Sequence, residues 1–236
     1  MIVASSFHDG SPDRDFLLGH TRIVVRPIAT PLSLGFLALA VTSFVVAGYE
    51  LAWIDRVANA DTVGLAVLAF AVPLQAASSG FGFLTRDLVA ATGMGVLAGL
   101  WLGLGLTYFT GTPGATSPAL GLLLIGAATA LLVPVTAAAN DKRLAALVMG
   151  TAALRFYLAG AYEMSASTGW RLAAGACGLL LAALAVYAAL AFELESTHHK
   201  TVLPTGRRGR GLQALTASFG SQFDDIEHES GVRQEL

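Results

Sequence analysis

The stretch LVAATGMGVLAGLWLGLGLTYF, from Leu88 to Phe109, contains no charged side chain. At about 1.5 Å rise per residue, a helix of this length matches the roughly 30 Å hydrocarbon core of a bilayer. Lipid offers no partner for open backbone groups, so such a run is read as a helix. It lacks the alternating polarity of a barrel strand. Five further blocks have the same character on either side: Pro31–Ile54, Thr62–Phe83, Pro118–Ala139, Leu144–Glu163 and Trp170–Phe192. The chain is 55% hydrophobic and only 13% charged, against about a quarter charged in a soluble domain. The expected fold is all-α, a polytopic membrane protein with six transmembrane helices.

The cations are unevenly placed. Arg14, Arg22, Arg26, Arg86, Lys142, Arg143, Lys200, Arg207, Arg208, Arg210 and Arg233 fall in the tails and in loops 2–3 and 4–5. Arg56 and Arg171 fall in the opposite loops, and Arg155 lies inside helix 5. The positive-inside rule then expects both termini in the cytoplasm. Tyr49, Trp53, Tyr108, Tyr162 and Trp170 map to the outer helix ends, where aromatic rings favour the headgroup layer.

Residues 1–26 read as a polar cytoplasmic tail without the basic start and apolar core of a signal peptide. Residues 27–206 are read as the six-helix transmembrane domain. Residues 207–236 carry Arg207, Arg208 and Arg210 and then Asp224, Asp225 and Glu227, and read as a disordered cytoplasmic tail. Its basic part is expected beside the anionic inner leaflet.

Within the helices, Gly95-x-x-x-Gly99-x-x-x-Gly103 is expected to let another backbone approach helix 3 closely. Pro73 and Pro134 each free a carbonyl in the preceding turn. Thr85 is read as the N-cap of helix 3, with Asp87 complementing the helix dipole. Gln75, Ser78, Ser79 and Gly82 share one face of helix 2, which either lines a narrow polar path or bonds neighbouring helices. Arg155 is by default a functional hypothesis. It either attracts an anion, pairs with Glu50 or Glu163, or snorkels.

The five histidines lie outside the helices and the single cysteine, Cys177, is inside helix 6. No metal site, cofactor motif or catalytic constellation is readable, so an enzyme is not expected.

The motif Thr201-Val202-Leu203-Pro204-Thr205-Gly206, preceded by Tyr187-Ala188-Ala189-Leu190-Ala191, resembles the end of the acetate uptake transporters of the YaaH/SatP type. The segments Gln75 to Asp87 and Thr92 to Trp101 resemble that family's helix 2–3 region, with a glutamine and a tryptophan at the same separation. Pro31-Leu32-Ser33-Leu34 is similar to its signature at the start of helix 1. Ile28, Ala29, Thr30 and Ser33 replace the rest of that signature. Arg86-Asp87-Leu88-Val89-Ala90 replaces a Gly-Asn-Thr-Phe-Gly segment, and Gly82 stands where the family has a glutamate.

The resemblance implies uptake of acetate or a similar small carboxylate, with or without proton coupling, by a homo-oligomer (a hexamer in the family) in the plasma membrane. Gln75, Ser78, Ser79, Thr92 and Arg155 are then the expected substrate path. Leu37, Leu97 and Leu154 align with the family's apolar constriction. Pro31, Leu32, Trp101, Tyr187 and Pro204 are the signature residues. A passive channel for small neutral or anionic solutes and a non-transporting membrane scaffold are the alternatives.

Overall fold

The computed structural model describes residues 29–198, 200–208 and 212. Among the described residues, six helices are long and apolar enough to cross a membrane: α1 (Leu32–Glu50), α2 (Ala60–Leu84), α3 (Leu88–Thr110), α4 (Pro118–Ala138), α5 (Arg143–Ser165) and α6 (Thr168–His198). Because the helices alternate in direction, α1 begins and α6 ends at one end of the bundle, here the terminal end. Glu50, Tyr108 and Tyr162 lie toward the opposite end. The helices pack mainly as α1 with α6, α4 with α5, α5 with α6 and α2 with α3.

The interior is a layer of large apolar side chains, among them Phe36, Met94, Leu97, Leu100, Trp101 and Phe156. The outer surface is apolar as well, with Phe44, Leu122 and Val133 turned outward. A chain solvated by lipid loses nothing by such exposure, because hydrocarbon is as apolar as its own core.

Close helix contact is made by glycines other than the sequence motif. A Cβ on Gly64 would lie 2.6 Å from the Phe109 backbone nitrogen, and one on Gly82 would lie 2.5 Å from that of Ala91. These two positions fix the α2–α3 seam at both ends. The expected Gly95, Gly99 and Gly103 motif divides instead. Gly95 makes room for Ser79 and Gly103 faces Leu123, while Gly99 has open space around it.

Pro73 explains an irregularity in α2. Residues Val67–Ala71 form a π turn, and the Val72 N–H reaches back to the Val67 carbonyl. One extra residue in the turn absorbs the bond that proline cannot make. Pro134 is carried inside α4 without a break.

Several boundaries differ from the sequence reading. α1 ends at Glu50, because Ala52 is left-handed (φ 59°) and the chain turns so that the Trp53 N–H meets the Gly48 carbonyl at 2.9 Å. α6 continues to His198. Thr85 caps nothing on α3: its hydroxyl bonds the Gly82 carbonyl at the end of α2. Asp87 is the N-cap, accepting from the Ala90 N–H at 3.3 Å. Arg86 between them is left-handed (φ 57°), which lets the chain reverse.

The proposed tail boundary also moves. Arg207 and Arg208, read as tail, are held by the bundle: Arg207 binds Glu195, and the Arg208 N–H meets the Asp141 carbonyl at 3.3 Å. The rest of that tail, apart from Leu212, and residues 1–26 lie outside the described residues.

Candidate functional site

The polar face of α2 forms as its spacing predicts, with Gln75, Ser78, Ser79 and Gly82 all buried. Its donors are committed to neighbouring helices. Ser78 donates to the Pro31 carbonyl at 2.7 Å, Gln75 Nε2 to the Gly35 carbonyl at 3.4 Å, and Ser79 to the Ala91 carbonyl at 2.6 Å. These bonds tie α2 to the start of α1 and to α3. Gln75 Oε1 is buried without a partner among the described residues. Thr92 does not join this face: it is exposed on α3 and bonds its own helix at Leu88.

A second cluster lies toward the opposite end. Arg155 on α5 is fully buried and pairs through Nη2 with Glu50 Oε1 at 3.1 Å; Glu50 is 2% exposed. Of the two carboxylate partners the sequence offered, Glu50 is the one it bonds. The guanidinium carbon also stands 5.4 Å from the Trp101 ring and 4.9 Å from that of Phe156. Such contacts favour a cation at low dielectric.

This pair is incompletely satisfied. Arg155 Nε and Nη1, Glu50 Oε2, Trp101 Nε1 and Ser43 Oγ are all buried without a hydrogen-bond partner among the described residues. A buried polar group left unpaired costs roughly 1–3 kcal/mol, more when it is charged. So many around one ion pair distinguish this place from an ordinary structural bridge.

Above it lies a ring of tyrosines. Tyr49 donates to the Arg56 carbonyl at 3.0 Å, and Arg56 Nη2 donates to the Tyr162 hydroxyl at 2.7 Å. The Arg56 guanidinium lies over both rings, at 5.2 Å and 5.6 Å. Burial lowers its pKa, but the Tyr162 bond and the nearby hydroxyls outweigh this, and the net direction is upward. Tyr49 also packs on Tyr108, with centroids 5.2 Å apart. Glu163 accepts from the Ser117 N–H at 2.7 Å, and Arg171 donates to the Glu50 backbone carbonyl.

This corrects the aromatic belt. Trp53 and Trp170 are exposed, as rings in a headgroup layer would be, but Tyr49 and Tyr162 are buried around Arg56. Helix-end position alone could not tell a ring facing lipid from one facing a cation.

The three leucines aligned with the family constriction have different environments. Leu97 is buried, whereas Leu37 is 47% and Leu154 is 53% exposed on the protomer. Their inward neighbours are Phe36 and Arg155. One residue of register turns a helical side chain by about 100°, which an ungapped alignment has no means of detecting.

The signature residues serve the terminal end and the core. Leu32 and Trp101 are buried, and Pro31 accepts from Ser78. Tyr187 donates to the Pro204 carbonyl at 3.0 Å. The segment after α6 thereby folds back over the start of α5, where the Leu144 N–H meets the Thr205 carbonyl at 3.3 Å. Glu195 was missed by the sequence reading. It is buried and receives two bonds from Arg207 Nε at 2.7 and 3.0 Å, and a further one from Nη2. Its signal was a charge just beyond an apolar run, with Arg207 twelve residues on.

Comparison with known proteins places these features. A solved structure described as that of the bacterial acetate channel SatP shares the fold, with a TM-score of 0.66 at 19% identity, covering 76% of this chain and 99% of that one. A search of curated proteins finds no match. The family model described as GPR1/FUN34/yaaH matches residues 14–206, and the chain belongs to that family.

Proposed function

We propose that the chain carries acetate or a similar small carboxylate across a membrane, with one pathway in each protomer. The observation that carries this reading is Arg155, a fully buried guanidinium with two nitrogens unpartnered. Bringing an anion into low dielectric is costly, and a fixed cation offsets that cost. Family membership and the fold shared with a protein described as an acetate channel support a small carboxylate as the anion.

In this mechanism the solute passes the polar face of α2. It then meets the apolar layer, which we assign to Leu97 with Phe36 and Met94 rather than to Leu37 and Leu154. This layer strips water and excludes large solutes, and beyond it the carboxylate reaches Arg155. Both termini lie in the cytoplasm, the membrane is the plasma membrane, and the working form is a homo-oligomer.

Uptake of labelled acetate into proteoliposomes, with and without an inward proton gradient, tests this reading. Accumulation driven by the gradient identifies a coupled transporter. Equilibration without accumulation identifies a passive channel, which fits the observations equally well and which the solved neighbour's description favours. Flux no greater than in empty liposomes overturns the proposal and leaves the scaffold reading, in which Ser78 and Ser79 only join helices.

A further inference from the structure

Resting on the carboxylate reading above, we propose that Glu50 is an internal stand-in for the substrate: its carboxylate occupies Arg155 at rest and is exchanged for that of the transported anion.

Three observations converge on this exchange. First, the pair is held by one bond, Arg155 Nη2 to Glu50 Oε1, while Glu50 Oε2, Arg155 Nε and Nη1, and Trp101 Nε1 have no partner. Arginine–carboxylate pairs frequently fork onto both oxygens, and this one does not. Second, Glu50 is the last residue of α1, and Arg171 holds its backbone carbonyl. Its side chain can therefore leave Arg155 while its backbone stays in place. Arg56 and Arg171 are further cations near enough to act on its carboxylate, and they offer it a second resting place.

Third, the charges leave room for an anion. The groups that meet here are Arg56 from the α1–α2 loop, Glu50 from α1, Arg155 and Glu163 from α5, and Arg171 from α6, with the neutral Tyr108 from α3. Three arginines thus face two carboxyl groups, so the cationic groups outnumber the acidic ones and an incoming carboxylate does not meet net negative charge.

The test uses the full-length chain carrying Trp53→Phe and Trp170→Phe, so that Trp101, whose ring is 5.4 Å from the Arg155 guanidinium carbon, is the only tryptophan. Its emission is titrated with sodium acetate, against sodium chloride at equal ionic strength. The expected result is a saturable response to acetate and none to chloride. Glu50→Gln, which removes the internal competitor, then tightens acetate binding by about fivefold or more. In flux assays the same variant lowers KM and also lowers the maximal rate, because release slows.

A merely structural Glu50 predicts unchanged or weaker acetate binding in the variant, and that result overturns the exchange. So does an absent acetate response in the parent protein, or an equal response to chloride. If Glu50→Gln does not fold, Glu50→Asp, which draws the carboxylate back by one methylene, decides by the same criterion with a smaller tightening. Binding that tightens as expected in a protein without acetate flux keeps the exchange and removes the transport reading.

Discussion

The two ends of the bundle each bury charge, and they handle it differently. At the terminal end, Glu195 receives Arg207 through both oxygens and Thr205 at 3.4 Å, and Lys142 meets Asp87 at 2.7 Å. The cations there keep partial access to solvent, with side-chain exposures of 18% and 25%. At the opposite end, Arg155 and Glu50 have almost none, and three of their polar atoms lack partners. Ion pairs that fasten the chain are saturated and lie near water. The pair assigned here to transport is neither. An unsatisfied buried pair is a weak fastening, and its open valences are what an anion needs.

The largest expected effect comes from breaking the buried pair on one side. Arg155→Gln takes from the Glu50 carboxylate the one cation it is bonded to, and thermal unfolding in detergent should show a loss of up to about 3–5 kcal/mol, less to the extent that Arg56 and Arg171 take up the carboxylate. A loss below about 1 kcal/mol would mean that water or other cations already satisfy Glu50. At the terminal end, Glu195→Gln weakens the fold-back segment and should cost about 1–3 kcal/mol, with acetate flux per folded protein unchanged. A selective loss of flux in that variant would erase the contrast between the ends. Lys142→Ala removes a partly exposed pair and should cost about 0–1 kcal/mol, since its lysine already reaches solvent.

How far the sequence foretold these ends follows from what hydropathy records. Six spans were legible because lipid demands long apolar blocks, and their register was lost wherever apolar residues continued past a helix end. Leu51 to Ile54 are as apolar as α1 itself, so nothing marked the turn after Glu50 that brings its carboxylate to Arg155. The π turn before Pro73 was equally silent, because a proline states which bond is missing and not how the chain compensates. The helix 2 face was legible from spacing, but whether its hydroxyls line a path or join helices depends on which carbonyls stand opposite. Arg155 announced itself as a charge in an apolar run. Its partner did not, because Glu50 and Glu163 both lie near helix ends and only the packing of α1 and α5 against α6 chooses between them. Tyr49, Tyr108 and Tyr162 resembled a lipid belt because amphipathic rings suit a headgroup and a buried guanidinium alike.

The most direct test removes both charges together. Glu50→Gln with Arg155→Gln keeps the side-chain volumes nearly unchanged and leaves no uncompensated ion, so its unfolding should fall within about 1 kcal/mol of the parent. In proteoliposomes this folded protein is expected to lose at least about tenfold of its acetate flux, equivalent to about 1.4 kcal/mol. Flux equal to that of the parent would contradict the account, because the carboxylate would then cross without the cation assigned to receive it.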